Sequence, residues 1–143
     1  MRAALAVSIA LILSSVAYAQ ATNTPEQLVK RMFDKGAFEG QDSKAIGQLG
    51  DEGAVLVTKI LAGRDLTPKD IEMSLVVIAT SFNDPSFVKT PADREPRTAM
   101  LVLRYLEVST NDPAVRKRVA DATRYVQDRY ATYTASLRKK SKQ

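Results

Sequence analysis

Ala54–Leu61 reads AVLVTKIL, and Ala99–Leu106, 45 residues further on, reads AMLVLRYL. The same offset carries Thr67-Pro68 onto Asp112-Pro113. An apolar run therefore falls on an apolar run, and a helix-start signal on a helix-start signal. A duplicated helical hairpin leaves that trace, and the period lies within the roughly 40–47 residues typical of helix pairs that stack side by side. Such a stack presents a surface, so the pattern points to binding rather than to chemistry.

The chain around this core has 143 residues, no cysteine, no histidine and no tryptophan. Its start reads as an export signal. Arg2 supplies a positive charge, Ala3–Leu13 is an almost unbroken apolar run, and Ala17 and Ala19 stand where a signal peptidase reads small residues. Cleavage is expected after Ala19. The apolar run is shorter than the roughly 20 residues needed to cross a bilayer, which argues against an anchor. With no cysteine to carry a lipid, a bacterial lipoprotein is excluded. The expected location is the periplasm or beyond it. Residues 20–143 then form the mature chain, with a net charge of +4 because Arg2 leaves the formal +5. That length suits one core, and without disulfides the core must rest on apolar packing.

Capping chemistry divides the mature chain into helices. Thr24-Pro25-Glu26-Gln27 is a start signal, with threonine at the cap, proline at the first helical position and glutamine three residues after the cap. Leu28, Val29, Met32 and Phe33 follow as one apolar face, and Gly36 ends it. A short helix is expected around Ser43–Leu49. Asp51 opens a helix through Leu61. Thr67-Pro68 opens one to about Phe82, Pro96 one through Val108, and Asp112-Pro113 a last one to about Leu137.

Strands compete for Ala54–Val57 and Leu75–Ala79, which are β-branched and short. The caps favour helices, because each apolar run lies several residues inside a capped frame of helical length. Ala54–Leu61, Leu75–Ala79 and Ala99–Leu106 are apolar on most sides and are expected to share the core. The last helix differs. Val115, Val119, Ala122, Val126, Tyr130, Tyr133 and Leu137 draw one stripe, while Lys117 with Asp121 and Arg124 with Asp128 make opposite-charge pairs four residues apart. It reads as an amphipathic cover over one side of the core. Residues 138–143 read as a basic, disordered tail. The expected fold is all-α, a domain over residues 20–137.

Asp112-Pro113-Ala114-Val115-Arg116, with Val119, Ala120 and Ala122, resembles the first helix of a HEAT-type repeat. The resemblance implies that Asp-Pro opens the helix, that the valines and later alanines pack, and that Arg116 supports the turn between repeats. Thr67-Pro68-Lys69-Asp70-Ile71 keeps the proline but has Asp70 and Ile71 where the later copy has Val115 and Arg116. The likeness spans Asp51–Gln127. It implies a short stack of antiparallel helix pairs and a protein-binding scaffold without catalysis. The alternative for the same helices is an irregular bundle.

The residue inventory removes much of catalysis. Without histidine the usual general acid or base near neutral pH is gone, and with it serine–histidine and cysteine–histidine machinery. Imidazole and thiolate metal sites are lost too. The glycines form no phosphate loop, and Asp42 has Lys44 where a calcium loop needs an oxygen donor. Carboxylates remain: Glu39 with Asp42, Asp51 with Glu52, Asp93 with Glu95. Two carboxyls across a cleft would make a glycan hydrolase the second alternative function. Asp51 is better read as a helix cap, and Asp93 and Glu95 have Arg94 and Arg97 as solvated partners. No enzyme activity, metal or cofactor is expected.

Two places are candidates for partner binding. The connection from Asn83 to Arg97 holds Pro85, Pro91 and Pro96, so it cannot be one helix, and it is long for a compact domain. Phe87, Lys89, Arg94 and Arg97 are its candidate contacts; the competing reading has Phe82, Phe87 and Val88 pinning the loop to the core. On the last helix, Tyr125, Arg129 and Tyr133 are residue types common as interface anchors, though they also suit a core edge. The expected function is binding another protein, as adaptor, assembly factor or inhibitor. An alternative is a module for anionic envelope glycans or lipid headgroups, using Lys89, Arg94, Arg97 and the tail. Nucleic acid is not an expected partner, since basic and acidic residues are interleaved in an exported chain.

Overall fold

The computed structural model describes residues 23–87 and 95–143; the expected signal peptide lies outside them. Among the described residues there are six α-helices and no strand: α1 Pro25–Lys35, α2 Gly40–Ile46, α3 Asp51–Leu61, α4 Pro68–Thr80, α5 Arg97–Val108 and α6 Pro113–Lys140. A 3₁₀ turn occupies Pro85–Phe87. The fold is all-α, and the apolar runs that could have been strands are helices within their capped frames.

The caps explain the boundaries. Thr24 Oγ1 accepts from the Gln27 amide at 3.2 Å while Gln27 Oε1 accepts from the Thr24 amide at 3.0 Å, and Gly36 closes α1 at φ 63°. Thr67 and Asp70 repeat the reciprocal arrangement at α4, with bonds of 3.2 and 3.1 Å. Asp112 starts α6 by accepting from the Ala114 amide at 2.9 Å. These donors would otherwise be orphaned in the first turn.

Several boundaries differ from the sequence expectation; among them, α2 ends at Ile46 rather than Leu49 and α4 at Thr80 rather than Phe82. α2 begins at Gly40 rather than near Ser43, because Asp42 Oδ2 takes the Glu39 amide at 3.2 Å and its other oxygen takes Arg31 of α1 at 2.6 Å. A buried carboxylate with both of these partners fixes the start of the helix, which a count of nearby glycines does not reveal. α6 continues through Lys140, three residues past Leu137, so Arg138, Lys139 and Lys140 form its last turn instead of a tail.

α3 packs against α4, and α5 against α6; α3 also packs on α5 and α4 on α6. α1 packs on α3 and α4, and α2 on α1 and α4. Ala54 and Ala99, 45 positions apart, are both fully buried, as are Val57 and, nearly so, Val102. α4 is central and buries Ile71, Met73, Leu75, Val77 and Ile78. α6 contributes its stripe and Thr134: Val119, Val126 and Thr134 are buried, and Val115, Ala122, Tyr130, Tyr133 and Leu137 rest against the core.

Burial differs between Ala54–Leu61 and Ala99–Leu106 at several positions: Thr58 is exposed where Leu103 is buried, and Ile60 is half-buried where Tyr105 is exposed. Leu56 on α3 is 4% exposed, whereas Leu101, its counterpart on α5, is 72% exposed. Not all of Ala99–Leu106 is core, contrary to expectation.

Candidate functional site

One candidate on α6, Tyr133, meets Phe87 of the connecting loop, and all three α6 candidates make contacts within the chain. Tyr125, Arg129 and Tyr133 step by four residues and so share one helix face. All three reach the end of α4. Arg129 donates from Nε to the Phe82 carbonyl at 3.1 Å and from Nη2 to the Asn83 carbonyl. Tyr125 donates its hydroxyl to Asn83 Oδ1, and Tyr133 donates to the Asn83 carbonyl at 3.3 Å. The Arg129 guanidinium also lies over the Tyr133 ring, 4.5 Å from its centroid. Helix ends leave carbonyls unpaired and carry partial negative charge, so a guanidinium there is stabilising.

Phe87 completes this clasp from the other side. It is 0% exposed, and its ring makes edge contacts with Phe82 at 5.0 Å and Tyr133 at 5.3 Å. Burial removes Phe87 from any partner surface; the pinning reading of the loop describes it better. Lys89 and Arg94, and with them Val88, lie outside the described residues. Arg97 opens α5, is exposed, and pairs with Glu95 at 2.7 Å.

Of the acidic candidates, Glu39, Asp42, Asp51 and Glu95 have partners within the fold. Asp42 holds Arg31 as described. Asp51 is a cap, but of another helix: its carboxylate accepts from the amides of Thr98 at 3.0 Å and Ala99 at 2.7 Å, so α3 caps the start of α5. Gly50 is the cap residue of α3 itself. Glu39 accepts from Gln41 at 2.8 Å, and Asp93 lies outside the described residues. Among the described residues no three acidic groups gather as a metal site would require. Arg116, which the repeat resemblance assigns to an inter-repeat turn, is exposed, with no side-chain hydrogen bond or ion pair among the described residues.

The surface that reading the sequence missed is on α5. Leu101, Tyr105 and Val108 are 72%, 52% and 60% exposed. They stand at i, i+4 and i+7, one helix face. Arg97 and Arg104 lie on the same side, at steps of four and three residues from Leu101. An open groove of about 610 Å³ runs beside this stripe, between Leu61, Ala62 and Arg64 at the end of α3 and Thr98, Leu101 and Tyr105 of α5. A shallower hollow of about 560 Å³ lies on the other flank of Leu101, against Pro96, Arg97, Met100 and Tyr130. Leu101 is the ridge between them. One signal for this existed in the sequence: AMLVLRYL is apolar on more sides than a single packed face uses.

Comparison of the chain with protein-family models, with curated proteins and with solved structures finds no significant match.

Proposed function

We propose that this chain is an exported, non-catalytic helical-repeat protein that binds another protein, as adaptor, assembly factor or inhibitor, and that α5 is its contact surface. The observation that carries the reading is the exposed stripe Leu101, Tyr105, Val108 with a groove along its side. Large apolar groups at i, i+4 and i+7 beside a groove match the way an amphipathic helix is received. The occupant is a partner's amphipathic helix with an acidic edge, because Arg97 and Arg104 flank the stripe. Both arginines hold only exposed carboxylates, Glu95 and Glu107, and exposed pairs contribute about 0–1 kcal/mol, so exchange for a partner's acid is cheap. The paired helices at a 45-residue offset, α3 on α5 and α4 on α6, support a repeat origin. The missing histidine and cysteine, and the engagement of Asp42 and Asp51 in caps and ion pairs, support a binding role over a carboxylate hydrolase.

The test compares capture from an envelope extract by the wild-type protein and by Leu101→Asp. A partner recovered by the first and lost by the second, at unchanged melting temperature, is the expected outcome. Equal recovery by both, or reproducible recovery of a small metabolite instead of a protein, overturns the reading.

A further inference from the structure

Charge is distributed unevenly along this chain. Residues 113–143 carry nine basic and two acidic side chains, a net +7, whereas residues 23–112 carry eleven basic and fourteen acidic, a net −3. Part of the positive charge on α6 is occupied within the fold. Lys117 pairs with Asp121 at 3.1 Å, Arg118 with Glu72 of α4, and Arg129 with the carbonyls at the end of α4. The end of the helix is different. Arg138, Lys139, Lys140 and Lys142 are all exposed, the last acidic residue before them is Asp128, and none of the four has an ion pair among the described residues.

Geometry indicates what kind of anion such an end receives. Neighbouring helical residues are rotated by about 100° around the axis. Arg138, Lys139 and Lys140 therefore point in three directions, and Lys142 follows just past the helix. The four cations form a collar and do not converge on one point, as a site for a single small anion requires. A plane of fixed negative charge engages the collar without convergence. The collar is carried rigidly, since Leu137 rests against the core one residue before it and Tyr133 packs on Phe87.

We propose that the C-terminal end of α6 docks onto an anionic phospholipid bilayer through Arg138, Lys139, Lys140 and Lys142. The contact is peripheral: no helix among the described residues is long and apolar enough to cross a membrane. It uses a surface separate from the α5 stripe and does not depend on it.

Co-sedimentation of the purified protein with vesicles provides the test. The protein is expected to bind vesicles containing phosphatidylglycerol and not those of phosphatidylcholine alone. Binding falls as salt rises, because the screening length shrinks from about 8 Å at physiological salt to about 3 Å at 1 M. Each cation near such a surface strengthens binding roughly fivefold, so the combined variant Arg138→Gln, Lys139→Gln, Lys140→Gln, Lys142→Gln loses affinity on the order of several-hundred-fold. Its melting temperature stays unchanged, since all four side chains are exposed. Arg138→Lys retains binding, and Leu101→Asp does too, which separates this surface from the protein-binding one. Equal binding to neutral vesicles, retention by the fourfold variant, or binding of inorganic phosphate or soluble polyphosphate in place of vesicles overturns the proposal.

Discussion

Single residues in this fold hold positions that their local sequence does not explain. Gly53 lies inside α3, where glycine costs roughly 1 kcal/mol against alanine. A Cβ at that position would stand 1.9 Å from Ser81 Oγ and 2.6 Å from Ser81 Cβ. The absence of a side chain lets α3 approach the end of α4, where Ser81 Oγ donates to the Val77 carbonyl at 2.7 Å. Gly53→Ala is therefore expected to destabilise by about 1–3 kcal/mol despite its better helix propensity, as overpacking of a filled site does. Adding Ser81→Gly should recover most of that loss in urea unfolding; an additive pair of losses would contradict the steric account. Asp51 supplies a second case. Its two amide partners belong to α5, 47 and 48 residues away. Asp51→Ala should cost about 1–2 kcal/mol, the range of a lost cap, and should raise amide exchange at Thr98 and Ala99 more than anywhere in α3. Exchange rising first in α3 would show that the carboxylate serves its own helix.

At the scale of elements, α6 is a brace. Its stripe covers the core, and the ladder of Tyr125, Arg129 and Tyr133 clasps the end of α4. Arg129 bonds the Phe82 and Asn83 carbonyls just past the cap of α4, and hydrogen bonds to charged groups are worth about 1.5–3 kcal/mol. Arg129→Met should lower stability within that range and speed amide exchange at Asn83 and Asp84 before α1 is affected. Unchanged exchange there would remove the brace. The stripe on α6 was legible, because the spacing of its apolar residues follows helix geometry alone. The clasp was not: tyrosine and arginine every four residues suit an interface and an internal contact equally. The outcome depends on where the end of α4 falls, and that is set by packing. The same holds for α2, whose start is fixed by Asp42, itself paired with an arginine eleven positions earlier in sequence.

For the whole molecule, the decisive asymmetry is between α3 and α5. They occupy matching places in the two pairs, yet α3 is packed by α1, α4 and α5, while α5 is packed by α3, α4 and α6 and leaves Leu101, Tyr105 and Val108 in water. Fully burying such a side chain yields about 1.5–3 kcal/mol, so three exposed together form a reserve that a partner can use. Leu101→Asp should leave the unfolding midpoint within experimental error, because the side chain is already solvated, and should abolish capture of the partner. A large loss of stability would place Leu101 in the core instead. The order and type of the helices follow from the chain itself, because caps, glycine stops and apolar spacing act over a few residues and are written in the residues that use them. What only the tertiary structure decided is which apolar face found a neighbour and which polar group met a distant partner. Leu56 and Leu101 are the same residue in matching words of the sequence, and burial separates them because it depends on what lies across the gap.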